Sequence, residues 1–478
     1  MLNELFRRTE IGTASRESGG LKKSLSVTSL ITLGVGAIVG MGIFVLTGKE
    51  AAIHAGPALT ISFAISAMGC ILTAFCYAEF AAMIPLSGSV YSYSYATMGE
   101  LIAWFIGWDL ILEYLFACST VAVGWSGYVV SLFNGWGIDI PKTLSESTFI
   151  YTSEGWGFSG SIINFPAVFI VAVVATLLVG GIKQSAMINN IIVVIKVVVI
   201  LLFIGFGLSY VNVDNWTPYI PENTGEFGSF GLSGILRAAA VVFFAYLGFD
   251  ALATAAQEVK NPQKDMPKGI IASLVICASL YVLVTAVLTG IVDYRQLDTP
   301  APIAYAVDYV GKGLSWLSPF IKLGAVAGLS SVILVMMLGQ TRIYYAISRD
   351  GLLPQFFSKL HDKYKTPHKS TIFAGIATGL IAGLFPYGVL SELVSIGTLM
   401  AFTIVCISVI ILRKKMPHLH RPFKTPLVPY LPLLGALVCL LQMVSLPWNT
   451  WVRLIAWMIV GMIFYFIYGI RRSKLRKK

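Results

Sequence analysis

The feature that most restricts this fold is a series of long apolar runs, each separated from the next by a short polar segment. The runs are close to the ~20 residues that a helix needs to cross the hydrocarbon core of a bilayer. Of the 478 residues, 56% are hydrophobic and 12% are charged, and the mean hydropathy is +0.80. The pattern therefore predicts an all-α membrane protein. Twelve transmembrane helices are predicted, at about 27–50, 57–84, 99–132, 165–182, 187–210, 231–257, 267–291, 317–345, 370–388, 391–412, 427–446 and 450–470.

The basic residues are distributed unevenly among the segments that connect these spans. If the N-terminus lies in the cytoplasm, 26 of the 34 Lys and Arg residues fall in cytoplasmic segments, and the loop 211–227 carries none. An excess of Lys and Arg is typical of cytoplasmic loops. The net charge of +11 thus reflects membrane orientation and predicts no nucleic-acid partner. We expect a multi-pass protein of the cell (plasma) membrane, with a cytoplasmic N-terminal segment 1–26 and a basic cytoplasmic tail 471–478.

Glycines interrupt the first predicted span in the stretch LGVGAIVGMGIF, residues 33–44. Gly36 and Gly40 form a G-x-x-x-G pattern, which on its own is equally typical of close helix packing. The stretch VVFFAYLGFDA, residues 241–251, interrupts the sixth span with a glycine and an aspartate. The two interruptions lie five spans apart, and five is an odd number. The second copy of a repeated five-helix unit would therefore insert in the opposite orientation to the first. Paired interruptions of this kind indicate an inverted-repeat transporter with its binding site at the midplane.

An unwound helix offers groups that suit both ends of an amino acid. The half-helix that starts near Gly42 presents free N–H groups and the positive end of its dipole, which suit a carboxylate. The half-helix that ends before each interruption presents free carbonyl oxygens, which suit an ammonium group. Two interruptions that face each other could hold a zwitterion. The sequence therefore predicts α-amino acids as substrates.

Lys196 is the most informative ionisable residue within the spans. It follows Met187, at the start of the fifth span, by nine residues, which places it about 13 Å into the bilayer. Its side chain could snorkel to the cytoplasmic surface, but at this depth we expect the ammonium group to point into the bundle. Burial favours the neutral form of a lysine, so Lys196 could load and release a proton during transport. Glu113, one helical turn after Asp109, is the expected partner for an internal cation.

Four other charged residues within the spans each have two interpretations. Glu79 and Asp250 are expected to hydrogen-bond helix ends or backbone groups, and a functional role is the alternative. Arg237 and Lys322 lie in the outer parts of the sixth and eighth spans. There they either anchor the helices at the interface or line an outer vestibule that disfavours cationic substrates.

Signatures of enzyme chemistry are absent from the sequence. It contains no Walker A motif, no G-x-S-x-G and no H-E-x-x-H. His418 and His420 stand close together, but a basic loop explains them better than a metal site. We therefore predict that the chain is not an enzyme, has no cofactor and binds no metal ion.

Five stretches carry a resemblance to a known family: GVGAIVGMGIFVLTG, FCYAEFAAMIPLSGSVYSYSYATMGELIAWFIGWDLILEY, VVFFAYLGFDALATAAQEVKNPQKDMPKGI, GQTRIYYAISRDGLLP and RPFKTPLVP. They extend over nearly the whole chain. With them the chain resembles amino-acid permeases of the amino acid–polyamine–organocation superfamily, and within it bacterial relatives of the cationic amino acid transporters. The resemblance implies a leucine-transporter-like fold with alternating access. That fold would form a single transmembrane domain over 27–470, with inverted five-helix repeats at about 27–210 and 231–412 and two extra C-terminal helices at about 427–470.

The resemblance also implies a binding site. The carboxylate of the substrate would bind three backbone N–H groups, those of Gly40, Met41 and Gly42. The amine would bind four carbonyl oxygens, those of Ile38, Phe244, Ala245 and Leu247. The side-chain pocket would be bounded in part by Met336 and Ala117. Lys196 matches a lysine that, in proton-coupled members, occupies the place where relatives on this fold bind sodium. Met41 departs from the family pattern, because relatives commonly have Thr, Ser or Ala there, and this leaves the identity of the substrate open.

Together these features predict a secondary transporter that imports L-amino acids by proton symport and favours small or neutral ones. Amino-acid exchange and cationic amino-acid transport are the alternatives among transporters. From a different class, an amino-acid-sensing transceptor is the alternative, although no sizeable cytoplasmic domain is predicted. The expected partners are the L-amino acid, the proton and the lipid bilayer; a small membrane-protein partner or an oligomer stays open.

Overall fold

The computed structural model describes residues 25–83, 90–91, 94–95, 98–152, 155–181, 186–254, 259–364 and 366–474. Most of the predicted N-terminal segment 1–26 and the end of the predicted tail 471–478 lie outside these residues. The interruptions predicted in the first and sixth spans both lie within them.

The described residues are almost entirely helical. Helices of six residues or more are labelled α1 to α14 in chain order. Their bounds are α1 Val27–Ile38, α2 Leu59–Met83, α3 Glu100–Gly135, α4 Phe165–Val179, α5 Ala186–Gly207, α6 Gly231–Val242, α7 Phe249–Thr254, α8 Pro262–Ile291, α9 Pro302–Val310, α10 Ser318–Arg349, α11 His368–Leu384, α12 Tyr387–Lys415, α13 Tyr430–Ser445 and α14 Trp448–Phe464. Shorter α-helical turns are Thr47–Glu50, Lys142–Ser145 and Ile470–Arg472, and π-helical turns are Gly42–Leu46, Ala51–Ala55 and Tyr465–Gly469. The 3₁₀ turns are Gly56–Ala58, Leu208–Tyr210, Val213–Trp216, Phe243–Tyr246, Tyr294–Gln296, Gly311–Gly313, Ser315–Leu317 and Gln355–Ser358.

Seven helical segments of the described chain are long and apolar enough to cross a membrane. They are Gly42–Met83, Glu100–Gly135, Asn190–Tyr210, Pro262–Ile291, Ser315–Arg349, Tyr387–Lys415 and Trp448–Arg472. Shorter apolar helices are Val27–Ile38, Phe165–Val179, Gly231–Tyr246 and Tyr430–Ser445. The described part of the chain is thus predominantly helical, with helices that can span a membrane, as the apolar runs predict. The long helices do not match the twelve predicted spans one for one. Non-helical residues divide the first and sixth spans, and the run Gly42–Met83 joins the end of the first span to the second. The helices at the fourth, ninth and eleventh spans have only 15, 17 and 16 residues.

The packing separates the helices into two groups. In one group α8 packs along α1 and α2, and α6 packs on α2. In the other group α10 packs along α3, and α11 packs along α4 and α3. α5 contacts both α1 and α10, and α12 contacts both α2 and α3. As a result, the helix that carries Lys196 lies between the interrupted first span and the second group of helices.

A small hairpin lies between α3 and α4. Strands β1 Phe149–Thr152 and β2 Gly155–Phe158 pair antiparallel, with Phe149 opposite Phe158. The Phe149 ring packs on Phe385, which follows α11, with 5.4 Å between the ring centroids. The hairpin therefore rests on the connection between α11 and α12.

Candidate functional site

The first span is interrupted where its glycines predict. α1 ends at Ile38, and Val39 is extended, with φ −68° and ψ 103°. Gly40 is also non-helical, and the backbone becomes helical again at Met41. Beyond the interruption, the N–H of Phe44 donates to the carbonyl of Gly40 at 3.2 Å. Because the first N–H groups of a helix have no partner within it, this end can accept an anion.

The sixth span is also interrupted, over a slightly longer stretch. α6 ends at Val242, the 3₁₀ turn Phe243–Tyr246 follows, and Leu247 is extended with φ −57° and ψ 140°. Gly248 has a φ of +118°, and a Cβ atom there would lie 2.9 Å from the carbonyl oxygen of Ala37. Only glycine combines that backbone angle with such a close approach to the end of α1.

The two interruptions lie directly against each other. A Cβ atom on Gly42 would overlap the Cβ of Ala245, so glycine allows this contact. The hydroxyl oxygen of Tyr281, in α8, lies 2.8 Å from the carbonyl oxygens of Ile38 and of Ala245. A third carbonyl of the predicted amine site, that of Phe244, accepts the N–H of Leu247 at 3.0 Å. The structure thus brings the residues predicted to bind the carboxylate and the amine into one place.

Lys196 is buried, and its ammonium group points into the bundle as predicted. It donates to the carbonyl oxygens of Gly36 at 3.1 Å and Val39 at 3.0 Å. Both oxygens belong to the C-terminal end of α1, where the helix dipole favours a positive charge. The aliphatic part of the side chain passes Gly328 of α10, where an added Cβ atom would lie 2.9 Å from Cε of Lys196. This lysine therefore connects α5 to the end of α1, beside α10.

Glu113 lies elsewhere in the bundle. It is buried in α3, one helical turn after Asp109, which is also buried. Its Oε2 and both carboxyl oxygens of Asp109 have no hydrogen-bond partner among the described residues. The structure therefore places the two residues predicted for proton coupling in different surroundings, with Lys196 on the end of α1 and Glu113 within α3, one turn after Asp109.

The two residues predicted to bound the side-chain pocket, Ala117 and Met336, lie on α3 and α10, which pack together. Ala117 and Met336 are both buried. Next to Ala117, the Sγ of Cys118 lies 3.7 Å from the carbonyl oxygen of Ile333, one turn before Met336. Met41 is 3% exposed. Its thioether lies on α3, because a Cβ atom added to Gly124 would overlap its sulfur.

Two acidic residues have the structural role that was expected of them. Asp250 accepts the N–H of Gly248 at 3.1 Å, beside the second interruption, and the hydroxyl of Tyr114 at 2.9 Å. Glu79 accepts the N–H of Thr425 at 2.7 Å. The prediction that both acids hydrogen-bond backbone groups is therefore confirmed.

The outer basic residues also have specific partners. Lys322 forms an ion pair with Asp308, with 3.2 Å between Nζ and Oδ2. Arg237 donates from Nε to the carbonyl oxygen of Ser445 and lies over the ring of Phe227, 5.7 Å from its centroid.

Tyr281 and Gly124 contribute to this site, yet the sequence did not single them out. A lone tyrosine in an apolar span is a weak signal, although a buried hydroxyl usually requires a partner. One of the four glycines in α3 is a weaker signal still, because the role of Gly124 depends on a methionine 83 positions earlier in the chain.

Comparisons with known proteins find one family model and several transporters that are similar to this chain. A family model described as "Amino acid permease" matches residues 25–465, a range that includes both interruptions and Lys196. The chain is 45% identical over 478 residues to the methylthioribose transporter of Bacillus subtilis (strain 168), and the match covers all of both chains. It is also 45% identical over 483 residues to the branched-chain amino acid permease of the same bacterium, again over all of both chains. The vacuolar cationic amino acid transporter 4 of Arabidopsis thaliana is 38% identical over 421 residues, which are 87% of this chain and 68% of that protein.

Proposed function

We propose that this chain, which belongs to the amino acid permease family, imports L-amino acids across the cell membrane by proton symport with alternating access. The family makes it a transporter of the membrane and not an enzyme. The observation that carries the proposal is the contact between the two interrupted helices, where Gly42 lies against Ala245. Helix N–H groups on one side of this contact and carbonyl oxygens on the other suit the carboxylate and the ammonium of one zwitterion.

The site that we propose uses the residues implied by the family resemblance. The carboxylate binds the N–H groups of Gly40, Met41 and Gly42, and the ammonium binds the carbonyls of Ile38, Phe244, Ala245 and Leu247. In support, the hydroxyl of Tyr281 already lies at hydrogen-bond distance from the carbonyls of Ile38 and Ala245. These two oxygens can therefore be reached by a donor from a single point between the helices.

Lys196 is the group that we propose to couple the proton to transport. Its ammonium holds the end of α1 through the carbonyls of Gly36 and Val39. Removal of the proton would remove the charge that the helix end favours, so the protonation state of Lys196 and the position of α1 would depend on each other. Glu113 is proposed as a second proton-handling group, because it is buried in α3 one turn after Asp109 and its Oε2 has no hydrogen-bond partner among the described residues.

The proposed architecture is a leucine-transporter-like fold of twelve spans within a single transmembrane domain, residues 27–470. Repeat one covers about 27–210, repeat two about 231–412, and two further helices about 427–470. In support, the interruptions occur in the first and the sixth predicted spans, which would be the first helix of each repeat. Both termini are proposed to lie in the cytoplasm.

Neutral aliphatic amino acids are the substrates that we propose. Met336 and Ala117 make the predicted side-chain pocket apolar, and a relative that is 45% identical over its whole length is named a branched-chain amino acid permease. The relatives named cationic amino acid transporters are less similar, at 38% identity for the vacuolar transporter.

A second candidate substrate is a methylthio sugar. The relative named methylthioribose transporter is as similar to this chain, at 45% over the whole length, as the branched-chain permease. Methylthioribose carries neither a carboxylate nor an ammonium group, so it would not need the paired helix ends. The facing interruptions therefore favour the amino acid.

Uptake by purified protein in proteoliposomes tests the proposal. With labelled leucine and no sodium, we expect accumulation to rise when the outside is made acidic. The twenty amino acids and methylthioribose, each supplied as an unlabelled competitor, identify the substrate. Uptake that requires sodium contradicts proton symport, and activity only in vesicles preloaded with amino acid indicates an exchanger. Binding without flux indicates a transceptor.

The Lys196→Ala variant tests the coupling residue. We expect it to lose accumulation driven by the pH gradient, because no proton can then be carried at the end of α1. Lys312→Ala is the matched control, since Lys312 is exposed in the turn after α9. Gradient-driven uptake that persists unchanged in Lys196→Ala would exclude this lysine from the coupling.

A further inference from the structure

Met41, between the two glycines of the first interruption, has its thioether against α3. A Cβ atom on Gly124 would overlap the sulfur of Met41 and lie 2.7 Å from its methyl carbon. Glycine at position 124 therefore provides the space that the end of the methionine side chain occupies. The large residue on one helix and the missing side chain on the other are complementary in shape.

Other helices approach closely on the two sides next to Met41. A Cβ atom on Gly40 would lie 2.8 Å from Cγ2 of Val332 in α10, and one on Gly42 would overlap Ala245. If a side chain filled the space on α3, the flexible thioether would have to move. Val332 already lies against Gly40, and Ala245 already lies against Gly42. A displaced thioether would still be attached between Gly40 and Gly42, so it would remain next to the backbone N–H groups of the proposed carboxylate site.

We propose that Met41 and Gly124 form a pair that sets the size of the substrate side chain. The inference rests on the function proposed above, in which a carboxylate binds the N–H groups around Met41. An α-amino acid carries its side chain on the carbon next to its carboxylate, so that side chain lies beside Met41. With glycine at position 124 the thioether is withdrawn onto α3, and the site admits branched side chains such as those of leucine, isoleucine and valine.

Three variants and one control test the pair. Gly124→Ala adds one methyl group where the thioether now lies, Met41→Ala removes the thioether, and the double variant does both. Gly205→Ala is the matched control, because a Cβ atom at this glycine of α5 would meet no described atom within 4 Å. Each protein is reconstituted, and the concentrations of unlabelled leucine and alanine that halve the uptake of a labelled tracer are measured.

We expect Gly124→Ala to weaken competition by leucine by roughly tenfold relative to alanine, the effect of about one misplaced methylene group in an apolar pocket. The double variant is expected to restore the ratio, and Gly205→Ala to leave it unchanged. The melting temperatures in detergent should show the same pattern, because the added methyl group crowds the protein only while the thioether is present.

The outcomes separate this inference from the proposed function. Normal uptake with an unchanged leucine-to-alanine ratio in Gly124→Ala overturns the size-setting pair alone. The size-setting pair is also overturned if the double variant keeps the defect of Gly124→Ala in both the leucine-to-alanine ratio and the melting temperature. If the unmodified protein takes up no amino acid, the proposed function fails, and the size-setting role fails with it.

Discussion

At the scale of single residues, Tyr281 occupies a central position between the interrupted helices. Its hydroxyl oxygen lies 2.8 Å from the carbonyl oxygens of Ile38 and Ala245, one from each interruption. A phenol has a single proton and can donate to only one of them at a time, whereas an ammonium group has three. Tyr281 therefore links the two helices through the atoms that the proposed amine site uses, and its ring packs on Phe63 and Tyr246.

The Tyr281→Phe variant tests this link because it removes the hydroxyl and keeps the ring. A buried carbonyl that loses its donor costs about 1–3 kcal/mol, so we expect a lower melting temperature in detergent. We also expect the KM for uptake to rise several-fold, because the two helix ends would no longer be held in register. Tyr309→Phe, at an exposed position of α9, is the control. Unchanged melting and unchanged KM would show that the hydroxyl does not hold the site.

The residues of this site differ in how far the sequence predicts them. The interruptions of the first and sixth spans are local, because glycine lowers helix stability wherever it occurs, and the structure has them within a few residues of the predicted places. The inward direction of Lys196 follows from its depth alone. Tyr281 and Gly124 could not be predicted in the same way, because their partners Ile38 and Met41 are distant in sequence and only tertiary packing brings them together.

At the scale of elements, the buried carboxylate of Glu79 links the end of α2 to the end of α12. Glu79 is fully buried, and its Oε2 lies 2.7 Å from Nη2 of Arg413. Nε of Arg421 lies 3.4 Å from the other carboxylate oxygen, and the N–H of Thr425 donates to Oε2. One side chain of α2 thus fixes both the last turn of α12 and the segment that leads to α13.

The Glu79→Ala variant tests this fastening. It leaves Arg413 and the largely buried Arg421 without their shared carboxylate, and breaking a buried ion pair from one side costs about 3–5 kcal/mol. We expect a clearly lower melting temperature in detergent and a smaller loss for Glu79→Gln, which keeps one acceptor oxygen. Glu146→Ala, at an exposed position before β1, should melt as the unmodified protein does. Equal melting of all three variants would show that the contact is not needed for stability.

At the scale of the whole molecule, contacts between distant segments divide the connections between helices into two groups, one at each face. On one face the N–H of Lys260 donates to the carbonyl of Leu25, at 3.1 Å, and Glu79 binds Arg413. On the same face the N–H of Lys474 donates to the carbonyl of Asp350, at 3.1 Å. Apart from Glu79, which lies near the end of the predicted second span, these residues belong to segments that the distribution of Lys and Arg predicts to be cytoplasmic.

The remaining connections between helices also contact one another. His54, after the first span, lies 2.7 Å from the carbonyl oxygen of Gly228, in the long connection between α5 and α6. The N–H of Asn212, at the start of that connection, donates to the carbonyl of Gly290 at the end of α8, at 2.9 Å. His54, Gly228 and Asn212 belong to segments predicted to lie outside the cell, and Gly290 is at the end of the predicted seventh span. The packing therefore groups the connections as the charge distribution does, and which face is cytoplasmic stays a prediction.

This orientation can be tested with single cysteines placed on the two faces. Glu222 and Lys359 are exposed, one in the connection between α5 and α6 and the other between α10 and α11. The six native cysteines are all buried, so they should give little background with a membrane-impermeant maleimide. In intact cells we expect the reagent to label Glu222→Cys and not Lys359→Cys, and after permeabilisation to label both. The reverse result would place the basic face outside and would contradict the proposed cytoplasmic position of both termini.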